Sequence, residues 1–213
     1  MTTSPIIDQL AADLVPVSPG ATRHRVLSAV LAGGVLSFAA MAIRFGIQPN
    51  LGDMSHGAPF MMKSAYGVTV AAIAFGLSVA FARPTGTGRL RWVAIILPVA
   101  VLGLLALVQL SETPSADWQG LLLGASWRQC PLRILLLAAP IFAGLCGAIR
   151  QEAPTRLRAA GAAAGLLAGG VSATIYALAC PEASAVFVLV WYSLGISVSA
   201  ALGALLGPIV LRW

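Results

Sequence analysis

The chain has 213 residues, of which 59% are hydrophobic and only 9% charged, with 13 Lys and Arg against 7 Asp and Glu. Soluble domains carry about 25% charged residues, so this composition excludes one and places nearly the whole chain in a bilayer. The net charge of +6 is a topology signal and not a nucleic-acid footprint, because the basic residues flank apolar runs.

Residues 1–25 read as a cytoplasmic amphipathic tail and linker. Ser4 and Pro5 suit an N-cap and a first helical position, with Asp8 in the first turn. Ile6, Ile7, Leu10, Leu14 and Val15 then recur at helical spacing, with Asp8, Gln9 and Asp13 between them, up to Pro16 and a Ser18-Pro19-Gly20 linker. A helix lying on a membrane usually carries Lys and Arg on its polar face. This one carries only acids, which fits the groove of a soluble cytoplasmic partner better; leaflet contact and disorder are the alternatives.

Six runs without Asp, Glu, Lys, Arg or His follow, at 26–43, 64–82, 92–110, 134–149, 159–179 and 185–207. A helix needs about 20 apolar residues to cross roughly 30 Å of hydrocarbon. The fourth run reaches that length once Pro131, Leu132 and a snorkelling Arg133 are added. Rich in Ala, Gly and Leu and without strand alternation, the runs predict helices and not barrel strands. The expected fold is an all-α membrane protein, a bundle of six transmembrane helices over 26–213 behind the tail. Arg23 and Arg25 before the first run and Ala39, Ala40 and Ala42 within its end resemble a cleaved signal, but the long preceding region and five later runs favour a retained helix.

Nine basic residues (Arg23, Arg25, Arg83, Arg89, Arg91, Arg150, Arg156, Arg158, Arg212) fall on one side and four (Arg44, Lys63, Arg128, Arg133) on the other. The positive-inside rule makes the first side cytoplasmic, with both termini there and loops 44–63, 111–133 and 180–184 outside. Every charged residue stands at or beyond a span end, which argues against ion-coupled transport. Gly161, Gly165, Gly169, Ala173 and Ala177 form a small-residue stripe on the fifth helix, and Gly195, Ser199, Gly203 and Gly207 another on the sixth. Such stripes let backbones approach within the bundle; a homodimer seam is the alternative. Tyr66, Tyr176, Trp191 and Tyr192, near span ends, read as interfacial anchors, with the lining of a polar interior as the alternative.

Cys130 and Cys180 each precede a proline. From Cys130 to Arg150 is 20 residues and from Arg158 to Cys180 is 22, so both lie roughly 30 Å from one cytoplasmic loop at 1.5 Å per residue. The fourth and fifth helices form an antiparallel hairpin with both thiols at its outer end. A disulfide or a thiolate pair capturing a soft metal is chemically reasonable there, with two packing cysteines as the bland reading. Cys146, deeper in the fourth helix, reads as packing. His56, with Asp53 near it, is a candidate third metal ligand or a solvated loop residue. Arg128, Arg133 and Glu182 flank the cysteines and are placed to lower a thiol pKa or to pair with each other. No Ser/His/Asp order, HExxH, P-loop or GxGxxG before a helix appears, so the chain is expected not to be an enzyme, with no cofactor beyond a transient soft metal ion at the cysteines.

Leu122-Leu123-Gly124-Ala125-Ser126-Trp127-Arg128-Gln129-Cys130-Pro131, Ala153-Pro154-Thr155-Arg156, Tyr176-Ala177-Leu178-Ala179-Cys180-Pro181-Glu182 and Trp191-Tyr192-Ser193-Leu194-Gly195-Ile196 resemble the NrsF family. So do the end Gly207-Pro208 with Leu211-Arg212-Trp213, Pro59-Phe60 with Lys63, and the tail from Ile7 to Leu14. The resemblance spans essentially the whole chain. It implies a six-span bacterial inner-membrane anti-sigma factor that holds an extracytoplasmic-function sigma factor and releases it under heavy-metal or oxidative stress. The family's paired cysteines fall on Cys130 and Cys180. One departure is Ala179, where a His commonly precedes the second cysteine, so thiol redox chemistry is implied more directly than metal ligation. Joined to the residue reading, the tail face of Ile6, Ile7, Leu10 and Leu14 is expected to help capture the sigma factor, together with loops 83–91 and 150–158. No direct nucleic-acid contact is expected. The alternatives are a small membrane thiol oxidoreductase or metal-handling protein, for which neither a CxxC pair nor a quinone site is visible, and a structural subunit of a larger complex.

Overall fold

The computed structural model describes residues 20–48, 57–83 and 89–212. The tail residues Ile6, Ile7, Leu10 and Leu14, and Asp53 and His56 of the first loop, lie outside the described residues. Six helices are long and apolar enough to cross a membrane: α1 Ala21–Arg44, α2 Ala58–Ala82, α3 Trp92–Glu112, α4 Cys130–Arg150, α5 Leu157–Tyr176 and α6 Ala185–Val210. The exposed side chains are those of a lipid-facing surface, with Ile43 82%, Ile209 75% and Leu205 70% exposed; in water such a surface would aggregate.

Three boundaries differ from the sequence expectation, each next to a proline. Pro59 sits at the start of α2, where its fixed φ favours a first turn, so residues 58–63 are helix and not loop. Pro131 does the same for α4, which begins at Cys130. The fifth helix, expected to 179, ends at Tyr176 and continues as a tight turn over 177–179, because Pro181 pushes Cys180 out of helical backbone. The 111–133 loop is partly ordered as a 3-10 turn at Ser115–Asp117 and a short helix at Trp118–Leu123.

Helix α5 is the centre of the bundle, 72% buried over its apolar window against 17% for α3, which lies at the periphery. Its small-residue stripe meets that of α6 backbone to backbone: a Cβ on Gly161 would strike the Gly203 carbonyl oxygen, and one on Gly165 the Ser199 carbonyl oxygen. The two stripes thus meet within one chain, as the bundle reading expects. Gly67 and Gly170 bring α2 against α5 in the same way. Gly33 of α1 lies on the backbone of Pro140 and Ile141 in α4. There Ser37 Oγ donates 2.7 Å to the Leu137 carbonyl, in the turn that the missing N–H of Pro140 opens.

The bundle has two ends. At one, the Glu152 carboxylate accepts from Thr22 Oγ1 at 2.8 Å and Arg25 Nη1 at 2.7 Å, and Gly207 lies against Leu157. The start of α1, the α4–α5 connection and the end of α6 thus share it. At the other, Lys63 reaches Cys180, Gln48 N–H donates to Leu178 and Gln109 Oε1 accepts from the Ala185 N–H at 2.8 Å.

Candidate functional site

Cys130 and Cys180 meet at that second end. Cys130 is the first residue of α4, its amide donating to the Ser126 carbonyl at 2.9 Å. Cys180 follows the turn after α5, its amide donating to Tyr176 at 3.0 Å. Both are free thiols with no exposed surface. The two thiols lie next to each other and interact directly. The antiparallel hairpin expected from the sequence does bring them together.

Around the sulfurs lie groups that sequence reasoning placed elsewhere. Lys63, read as a loop cation, is 2% exposed in the second turn of α2. Its ammonium donates 2.5 Å to the Cys180 carbonyl and 3.3 Å to the Glu182 carbonyl. Among the described residues it makes no ion pair with a carboxylate. Tyr66, Tyr176 and Tyr192, read as interfacial anchors, are buried. Tyr176 and Tyr192 stack with ring centroids 6.0 Å apart, and Tyr66 Oη bonds Ser193 Oγ at 2.7 Å. The difference has a physical cause: the Tyr66 and Tyr176 phenols reach inward to Ser193 and Arg133 at the end of the bundle, so they cap the core and not the lipid interface. Tyr192 closes a π-helical turn, Val188–Tyr192, inside α6. Only a short break in helical periodicity of this kind signals the site in the backbone.

The flanking charges do not pair with each other as one reading allowed. Glu182 Oε1 accepts from the amides of Ala125 and Ser126 at 2.8 and 3.1 Å and from Ser126 Oγ at 3.0 Å. It pins the loop that leads into Cys130, where Gly124 holds a φ of +51 with Glu182 packed against it. Arg133 bonds Gln129, donates 3.4 Å to Tyr176 Oη and lies 4.6 Å over the Phe45 ring. Arg128 is exposed, 4.8 Å over Trp127, which packs on Trp191 at 5.2 Å. Cys146 is buried in α4, three turns or more from the pair, in an apolar setting. Replacing Glu182 by alanine is expected to cost about 2–3 kcal/mol, since three donors lose one carboxylate acceptor. Thermal melting of the purified protein in detergent checks this, and an unchanged melt would remove Glu182 as the clamp.

The Cys180 thiol lies below the ordinary thiol range, first because the Cys130 S–H donates to it. The Tyr192 hydroxyl, the Lys63 ammonium and the Glu182 backbone act in the same direction, against burial, which pushes the thiol up. In such a pair the thiolate form of one sulfur is favoured, the arrangement from which a disulfide forms or a soft cation is caught. Among the described residues no three His, Cys, Asp or Glu side chains come together as a metal cluster.

Over residues 10–213 the chain matches the family model NrsF, negative regulator of sigma F. It is 35% identical over 215 residues, covering all of both chains, to a protein of Azospira oryzae named probable anti-sigma-F factor NrsF. It is 36% identical over 217 residues, again over all of both chains, to the anti-sigma-F factor NrsF of Caulobacter vibrioides. No solved structure matches it.

Proposed function

Because the chain belongs to the NrsF family of negative regulators of sigma F, we propose that it is an inner-membrane anti-sigma factor. In this reading it holds an extracytoplasmic-function sigma factor at the cytoplasmic face and releases it when the Cys130–Cys180 pair, at the opposite face, is oxidised. A regulator of this kind is not a catalyst, in keeping with the absence of any catalytic motif from the sequence. The observation that carries the sensing role is the adjacent, fully buried thiol pair at the end of the bundle opposite Arg25 and Glu152.

A route between the two ends supports the reading. Cys130 opens α4, and α4 leads directly to Glu152, which grips Thr22 and Arg25 at the start of α1. The tail with Ile6, Ile7, Leu10 and Leu14 precedes that point in the sequence. The α4–α5 connection also carries backbone strain, with Ala153 at φ +50 before Pro154. A small change where α4 and α5 meet at the thiols therefore acts on a strained connection beside the tail. Switching of this kind needs two packings close in free energy and a signal that favours one.

Capture of a soft metal by the two thiolates is the second reading, favoured only by the softness of the sulfur donors. Affinity purification from solubilised membranes, before and after peroxide or a soft metal, tests the proposal. A sigma factor released from the native chain and retained by a Cys130→Ser, Cys180→Ser form is the expected result. Release from both forms would remove the cysteines from sensing, and no sigma factor in either would overturn the anti-sigma reading.

A further inference from the structure

We propose that the groove between α1 and α4 binds an anionic phospholipid, one acyl chain lying along the groove and the phosphate resting on Arg25. The site requires only that the six helices stand in a bilayer, and it is independent of the anti-sigma reading.

The groove follows from the residues at which the two helices touch. Gly33 lies on the backbone of Pro140 and Ile141, and Gly144 brings α4 to within van der Waals contact of the Ala29 carbonyl. The helices therefore run close together, and the side chains beside the seam are too short to fill its outer side. Ala29, Ala32, Gly33, Ala143, Gly144 and Gly147 form the floor, with Leu36 and Pro140 at the deep end. The space amounts to about 760 Å³, inside the range of about 300–1,000 Å³ that holds small ligands. Ala32, Leu36, Ala143 and Gly147 are exposed, and a Cβ on Gly147 would meet nothing, so among the described residues nothing covers the groove.

Length and charge select what fills it. Residues 25–36 of α1 rise about 16 Å at 1.5 Å per residue, half of the roughly 30 Å of hydrocarbon, and residues 140–151 of α4 rise as far. The groove is thus one leaflet deep, the reach of a single acyl chain. Arg25, Ser28 and Gln151 stand at its mouth. Arg25 donates one N–H to Glu152 at 2.7 Å and is otherwise exposed, which leaves the rest of a five-donor fork for a phosphate. Arg23 and Arg150, also exposed, belong to the same end of the same two helices, where Glu152 supplies one carboxylate. A cationic mouth over an apolar floor matches a negative headgroup joined to a hydrocarbon chain. A second copy fits worse: copies in one bilayer share an orientation, so a shared α1–α4 seam would bring like arginines together at one depth. The tail is barred by its own charges, since Asp8 and Asp13 stand between its apolar residues and would enter hydrocarbon with them.

The test uses the purified, delipidated full chain in detergent, with phosphatidylglycerol as the anionic probe and phosphatidylcholine as the zwitterionic one, bound lipid being counted by native mass spectrometry. The native chain is expected to hold one phosphatidylglycerol about fivefold more tightly than phosphatidylcholine, the worth of one basic residue at a headgroup. Gly147→Leu places its side chain in open space, so it should melt with the native chain in the absence of lipid and bind both lipids at least tenfold more weakly. Arg25→Gln should bind both lipids alike. Glu152→Gln breaks the same ion pair but keeps the guanidinium, and should retain the preference for phosphatidylglycerol. Equal binding of the two lipids by the native chain, undiminished binding by Gly147→Leu, or the same loss of preference in Arg25→Gln and Glu152→Gln overturns the assignment. A native dimer that becomes a monomer in Gly147→Leu gives the groove to a second copy and overturns it as well.

Discussion

Gly165→Leu is expected to separate α5 from α6 and to destabilise the folded protein by about 3 kcal/mol or more, at the upper end of what overpacking costs. The glycine Cα lies so near the Ser199 carbonyl that even a Cβ has no room there, and the atoms it would meet belong to backbone and cannot rotate away. Helix association in a bilayer draws on close van der Waals approach and not on hydrophobic burial, so a lost seam has no substitute. The matching control is Gly103→Leu on α3, where a Cβ would meet nothing and the side chain would face outward. Denaturant or thermal unfolding followed by circular dichroism in one detergent compares the two. If Gly165→Leu unfolds with the native chain while Gly103→Leu does not, the seam is not where the bundle is held.

That seam is legible in the amino-acid sequence, because Gly and Ala recurring every fourth residue on two consecutive helices leave each a flat face that only another backbone fills. Helix number and rough bounds are legible for a similar reason: a run of about 20 residues without charge has one cheap arrangement in a bilayer. The depth match of Cys130 and Cys180 follows from counting 1.5 Å per residue along two antiparallel helices. Such counting gives height along the bundle but not rotation about each helix. Side-chain direction therefore escapes it. Tyr176 and Tyr192 stand at the right height for interfacial anchors and face inward instead, Tyr192 because of a π-helical turn that no spacing rule anticipates. Lys63 is hidden by the charge rule itself: a lysine at the foot of an apolar run reads as a snorkelling end residue. The one hint is Pro59, which starts α2 a turn earlier and draws Lys63 into the helix. Arg128 and Arg133 are better candidates by distance along the chain, yet they are engaged with Trp127 and with Gln129 and Tyr176. The cation at Cys180 comes from another helix, which a single sequence does not pair with it.

Lys63→Met is expected to lower the reactivity of Cys180 at neutral pH while leaving the sulfurs side by side. A thiol held below its ordinary value of about 8.5 is largely thiolate at pH 7, and each unit by which that value rises removes about tenfold of the thiolate above it. In the native chain, the rate of labelling by a small methanethiosulfonate, limited throughout by the burial of Cys180, should therefore hold as pH falls below about 8.5 and decline only when it passes the lowered value of Cys180. In Lys63→Met one of the groups that favours the thiolate is gone and burial still favours the thiol, so the profile should move to higher pH, with labelling at pH 7 slowed. The sign for stability is the same. A lowered thiol adds stability that is present above the ordinary value and lost as pH falls through the folded one, so the native chain should lose part of its stability over that window and Lys63→Met should lose less. Lys63→Arg keeps the charge and should keep the profile nearer the native position, although a guanidinium fits the two carbonyls of Cys180 and Glu182 less well than an ammonium. An unshifted profile in Lys63→Met would show that the ammonium only ties α2 to the Cys180 backbone. A shifted profile makes the thiolate and the ammonium mutual partners. Disulfide formation would then leave a buried cation facing two carbonyls without its counter-charge, an arrangement costly enough inside a membrane to move α2 as well as α4.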